Sequence, residues 1–145
     1  MSDDEKKMPL PIGIDDFKKL RDGGYYYVDK TELIHDFYVH GMEATMILMP
    51  ERFGKSLNLS MLDAFLNIKY KGNHWFDGLK ISEYPEMEKE RNTYPVIYLN
   101  MKGLTKDTEE DFIEAMKIKM SSVFKEFAYL KDSEKVHEIY REWYL

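Results

Sequence analysis

The sequence predicts an α/β domain built on parallel strands covered by helices. Two near-continuous apolar runs of strand length, residues 45–49 (TMILM) and 96–101 (VIYLNM), suit strands buried on both faces. They alternate with segments whose apolar residues recur every three or four positions, the spacing of a helix that buries one side. The first run passes into such a segment through a short loop ending Gly54-Lys55-Ser56, in the order strand, loop, helix.

Residues 1–8 read as a disordered tail that opens with the acidic and polar MSDDEKK, and residues 9–145 as one domain. The lead-in PLPIGI is too rich in proline for a helix. Asp15 or Asp16 opens a short helix through Leu20, closed by Gly23-Gly24. Tyr25-Tyr26-Tyr27-Val28 has the composition of a strand. Asp29, with Glu32 three residues on, forms a capping-box pattern for a helix from Lys30 to His40 that Gly41 ends. The strand at 45–49 and the loop at 50–55 follow, and then a helix reaching Lys69.

Gly72, Gly78 and Pro85 punctuate an irregular connection with Trp75, Phe76, Leu79 and Ile81 as apolar anchors. Residues 86–91 mix charge signs and suit a short exposed helix, and the second strand comes after them. From Thr108 a long helix carries Phe112, Ala115, Met116, Met120, Val123, Phe124 and Phe127 at helical spacing, a stripe expected to be core. Glu109, Glu110 and Asp111 lie in its first turn, where the helix dipole favours negative charge. A last helix begins near Asp132 or Ser133 and carries Val136, Ile139, Tyr140, Trp143 and Tyr144 on one side. Its stripe runs to Leu145 without a cap, the pattern expected of a cut rather than a natural end.

With 145 residues, 43% of them hydrophobic and 14% aromatic, the chain can build a sizeable core. Its 21 basic and 27 acidic residues leave a formal charge of −6, so no global basic field directs it to nucleic acid or anionic lipid, and no local basic patch stands out. The absence of cysteine removes disulfides, thiolate catalysis and thiolate zinc sites together, which suits a cytoplasmic protein. No apolar run reaches spanning length, so no membrane partner is expected. His35, His40, His74 and His137 lack metal-ligating spacing, and Ser56, Ser60 and Thr93 lack the histidine and aspartate partners of a nucleophile.

Chemistry concentrates at Gly54-Lys55-Ser56. Gly54 lets backbone N–H groups approach an anion, Lys55 offers a point charge to outer phosphates, and the Ser56 hydroxyl can ligate Mg²⁺. The helix that follows aims its positive end at the same place. The full spacing G-x-x-x-x-G-K-[ST] is only half met, since Met49 stands where the first glycine belongs. The plainer alternative is an ordinary strand-to-helix turn with Ser56 in the first helical turn. Asp29 is similarly either a carboxylate near a ligand or a helix cap, and Arg52 either a phosphate contact or the partner of a surface carboxylate. The tyrosines at 25–27 either stack on a base or sit in a half-buried strand.

Five segments, PLPIGIDDFKKL, YYYVDKTELIHDF, MPERFGKSLNLSMLDAFL, WFDGLKI and YPVIYLNMKG, together resemble the AAA-ATPase-like family of predicted P-loop ATPases, often fused to a C-terminal nuclease of the PD-(D/E)XK type. The resemblance covers nearly the whole chain. It implies a P-loop NTPase-like parallel sheet flanked by helices, with ATP bound through a variant Walker A loop and Mg²⁺ as its cofactor. Gly54, Lys55 and Ser56 match the nucleotide-binding positions, Pro50, Glu51, Arg52, Phe53 and Leu57 complete the loop, and Ser56 is the implied metal ligand. The family's loop usually reads R-P-R-R-F-G-K-S, so Met49 and Glu51 replace arginines here, and an acidic Glu51 would oppose phosphate charge.

In that family, acidic residues closing a later strand hold Mg²⁺ and position water. Here the run at 96–101 is followed by Lys102 and matches the strand before the acidic one. The resemblance thus implies a domain truncated before its Walker B strand, with a C-terminal ATPase half and a nuclease domain as missing partners. It implies nucleotide binding without hydrolysis by this chain alone. The alternative is a degenerate domain acting as a protein-interaction or regulatory module without nucleotide turnover.

Overall fold

The computed structural model describes residues 8–41 and 43–134. Residues 1–98 and 99–145 form two compact units. Among the described residues of the first unit, α1 spans Phe17–Asp22, α2 Glu32–His40, α3 Lys55–Leu66 and α4 Pro85–Glu90, with tight helical turns at Ile68–Tyr70 and Lys80–Glu83. The second unit holds α5, Glu109–Glu126, and a turn at Ala128–Asp132.

The parallel sheet expected from the two apolar runs is not present. Among the described residues no strand forms, and the only pairing of sheet type is an isolated parallel bridge between Asn67 and Tyr94. The reason is that a strand exists through its neighbour: an apolar run supplies side chains, but the N–H and C=O groups of a ladder must come from another segment. Residues 45–49 and 96–101 carry no helix and no ladder. The sheet-flanked P-loop architecture, and its reading as an interrupted version of that sheet, are therefore corrected to a helical fold.

The first unit is organised by α3, which supplies Met61, Leu62, Ala64 and Phe65 to a core completed by Phe17, Ile34, Phe76, Ile81 and Met87. Phe76 is the hub of its rings, stacked on Phe17 at 4.9 Å between centroids and edge-on to Phe65 at 5.0 Å. Phe17 reaches this position because α1 starts there: the Asp16 carboxylate accepts from Lys19 N, and Phe17 N donates to buried Ser60 Oγ at 2.7 Å. At the other end of α3, Asn92 N donates to Phe65 O, and its Nδ2 donates to the carbonyls of Ala64 and Asn67. One side chain and its own backbone thus satisfy carbonyls that a helix C-terminus leaves open. The helix stops at Leu66 rather than at Lys69, because Asn67 turns to extended backbone and caps the following turn at Lys69 N.

α2 ends at Gly41 in the left-handed region, φ +52°, as a glycine stop allows. α5 begins where Thr108 Oγ1 accepts from Asp111 N, with three acidic residues in its first turn. Its stripe is not core: none of its 18 residues is buried, and Leu104 and Phe127, which flank it, are the buried apolar side chains among the described residues of the second unit. Within that unit Lys119 Nζ donates to the carbonyls of Asn100 and Lys102, tying the segment before α5 to the helix. The last expected helix, from about Asp132, falls mostly outside the described residues.

Candidate functional site

The loop at 50–57 is a turn feeding a helix. Phe53 N donates to Pro50 O at 3.4 Å, Gly54 takes φ +88° at the N-cap of α3, and Asn58 N donates to Gly54 O at 2.9 Å. Only glycine holds that left-handed angle without strain. Arg52 is also left-handed, at φ +63°, where a side chain costs energy. Glu51, Arg52, Phe53, Lys55 and Ser56 are exposed, Leu57 packs against the core, and Pro50 caps the end of the 45–49 run.

Two hollows flank this loop, of about 400 and 530 Å³, sharing Pro11, Ile14, Arg52, Gly54 and Leu57. The first adds Tyr26, Lys30 and Phe53; the second adds Asp15, Lys55 and Ser56. The Walker A assignment needs this loop to leave the end of a strand fixed in a sheet, which aims its N–H groups at a phosphate. That support is absent, so the proposed ATP site is overturned, and nucleotide as the chain's partner with it. Mg²⁺ as a cofactor falls with the nucleotide that was to hold it against the Ser56 hydroxyl, and among the described residues no group of three or more His, Asp or Glu side chains offers a metal another place. The missing ATPase half and nuclease inferred as partners rested on the same sheet.

Asp29 is neither a ligand carboxylate nor the cap of α2, whose first flanking residue is Thr31. Its Oδ1 accepts from Thr31 N at 2.9 Å and Thr31 Oγ1 at 2.6 Å, and its Oδ2 from Lys80 N at 2.8 Å. Thr31 Oγ1 in turn accepts from Ile81 N at 3.1 Å, so the pair clasps the start of α2 to the turn at Lys80–Glu83. Burial opposes the Asp29 charge, but the hydrogen bonds from Thr31 and Lys80 outweigh it, and the pKa is lowered. Tyr27 is structural as well: burial pushes its phenol up to about 12, and its Oη donates to Met61 Sδ at 3.2 Å.

A surface missed by sequence reasoning lies at 45–49. Ile47 packs on the core and Asn58 Nδ2 donates to Met49 Sδ at 3.6 Å, whereas Met46 and Leu48 are 80% and 83% exposed. Ile47 and Thr45 also line an apolar hollow of about 230 Å³ with Leu33, Phe37, His40 and Leu62. A hydrophobic run does signal that both its faces want cover; it does not say that only one receives it.

The family described as predicted AAA-ATPase, AAA-ATPase-like, matches residues 11–144. An uncharacterised protein of the vnfD 5′ region of Azotobacter chroococcum mcd 1 is 35% identical over 96 residues, covering 65% of this chain and 17% of that protein. The chain thus matches less than a fifth of that relative's length. No solved structure matches it. The sheet, the phosphate loop and the cofactors that the family resemblance implied are overturned by the helical architecture, while membership rests on a match spanning nearly every residue. The chain belongs to the AAA-ATPase-like family of predicted AAA-ATPases.

Proposed function

We propose that this chain is a protein-interaction module that works without nucleotide turnover. The observation that carries the reading is α5, an 18-residue amphipathic helix with no buried residue. Phe112, Ile113 and Met120 share one side of it and are each about two-fifths exposed. An apolar stripe of that length left half in water is costly unless another polypeptide covers it. The loop at 50–57 contributes to the same role through Arg52 and Phe53, an exposed cation beside an exposed ring on strained backbone.

The module spans residues 9–145 with residues 1–8 as a tail, and a cytoplasmic setting suits its lack of cysteine. No helix among the described residues is long and apolar enough to cross a membrane. A photoreactive residue placed at Met120, on the stripe, is expected to give a discrete polypeptide adduct in cells, and one at Lys125, off the stripe, is not. The reading fails if Met120 gives no discrete adduct, or if the protein turns over Mg²⁺-ATP in a manner that Lys55→Ala abolishes.

A further inference from the structure

The smaller hollow beside the 50–57 loop carries formal charge of one sign. Its wall is apolar over Ile14, Tyr26, Val28 and Phe53, and the charged side chains on it are Lys30 and Arg52. These two cations come from before and after α2: Lys30 N donates to Tyr27 Oη at 3.3 Å, and Arg52 sits in the turn ahead of α3. Among the described residues neither has a carboxylate at ion-pair distance, whereas Lys18, Lys80 and Arg91 each do. The acids nearest in sequence lie off this wall: Asp29 holds Thr31 and Lys80 N, Asp15 lines the other hollow, and Glu51 lines neither. Two further observations bear on the same wall. Arg52 keeps left-handed backbone, φ +63°, that glycine would hold without strain. Asn58, 2% exposed, also lines the hollow; its Nδ2 donates to Met49 Sδ, and among the described residues its Oδ1 accepts no hydrogen bond. A buried amide oxygen without a donor is costly, and a ligand N–H supplies one.

We propose that this hollow, of about 400 Å³, binds the C-terminus of another polypeptide whose last residue is large and apolar. The inference rests on the reading of the chain as an interaction module and names one site of that module with its ligand chemistry. The wall asks for an anion between Lys30 and Arg52, an apolar body against Val28 and Phe53, and an N–H for Asn58 Oδ1. A C-terminal residue carries all three on one carbon: its carboxylate, its side chain and its backbone N–H. An internal aspartate or glutamate spends its side chain on the charge and leaves the apolar wall bare. The chain's own tail is a poorer match for the same reason, since Ser2, Asp3, Asp4 and Glu5 include no apolar side chain and Lys6 and Lys7 follow at once.

The test uses the whole chain and short synthetic peptides of glycine and serine that end in phenylalanine, with a free carboxylate, with an amide in its place, or N-methylated at the last nitrogen. The free-carboxylate peptide is expected to bind saturably below about 1 mM. Amidation is expected to weaken it at least about tenfold, and N-methylation, which leaves charge and side chain in place, about fivefold. Arg52→Gly removes the cation and relieves the backbone together, so it is expected to weaken binding about tenfold without lowering the urea midpoint. Glu51→Gln, off the wall, is expected to change binding by less than about twofold. Absence of saturable binding, equal binding of acid and amide, or undiminished binding by Arg52→Gly overturns the proposal. Free N-acetylphenylalanine binding as tightly as the peptide makes the ligand a small acylated amino acid and overturns the polypeptide source. Displacement by inorganic triphosphate at equal concentration makes the hollow a phosphate site, and tighter peptide binding after removal of residues 1–7 makes the tail its occupant; each overturns the proposal. None of these failures touches the Met120 adduct, which tests the interaction-module reading by itself.

Discussion

At the scale of single residues, Asp29 and Asn92 do more than their neighbours in sequence suggest. Asp29 accepts three hydrogen bonds that join α2 to the turn at Lys80–Glu83. Its folded pKa is lowered from 3.8, so its stabilisation is present above that pH and is lost as pH falls through the folded value. Asp29→Asn is expected to cost about 1 kcal/mol at neutral pH, its charge component reduced by solvent screening, and the difference from the parent should shrink in acid denaturation. Asn92 is 2% exposed at φ +55°, and its side chain also accepts from Asn73 Nδ2 at 2.8 Å. Asn92→Ala is expected to cost about 2–4 kcal/mol in urea unfolding, since it strands buried carbonyls and strains the backbone. Asn92→Gly relieves the backbone but not the carbonyls, and should recover only part of that loss. Asp29 could be read in sequence as a carboxylate with a local backbone task. Nothing around Asn92 announced its role, because its partners lie 25 and 28 residues away.

At the scale of elements, local signals travelled well and non-local ones did not. Asp16, Gly41 and Thr108 mark helix ends because a cap acts within a few residues of itself. The apolar periodicity of α5 was equally plain, but spacing says which side of a helix is apolar and not what covers it. Ile113→Lys and Met120→Lys are therefore expected to change thermal stability by less than about 1 kcal/mol, against about 3–5 kcal/mol for Phe65→Ala in the core of the first unit. Equal losses in calorimetry would make α5 a core helix after all. The run at 45–49 misled for a related reason. Its composition is that of a buried strand, but the ladder that makes a strand depends on a partner segment that composition does not supply.

At the scale of the whole molecule, the chain divides after Tyr98, and each unit carries one of its two tryptophans, Trp75 and Trp143. Two units predict unfolding that departs from a single transition. With Trp143→Phe the remaining fluorescence reports the first unit, and its urea midpoint is expected to differ from that of far-ultraviolet ellipticity, which sums both; coincident curves would show one cooperative block. The candidate loop was legible as a place for a glycine, since Gly54 takes a left-handed angle at the N-cap of α3. Its function was not, because motif letters acquire their chemistry from the scaffold that aims them, and the helical scaffold here differs from the one those letters imply.

The one-sided anchoring of residues 45–49 also sorts the methionines by their exposure to oxidants. Met61 is 0% exposed and its sulfur accepts from Tyr27, while Met46 is 80% exposed. Peroxide should therefore convert Met46 to the sulfoxide well before Met61, an order that peptide mass spectrometry reads directly. The sulfoxide is polar where the thioether was greasy. One oxygen atom on Met46 would wet the apolar platform beside Leu48, and a reductase would dry it again.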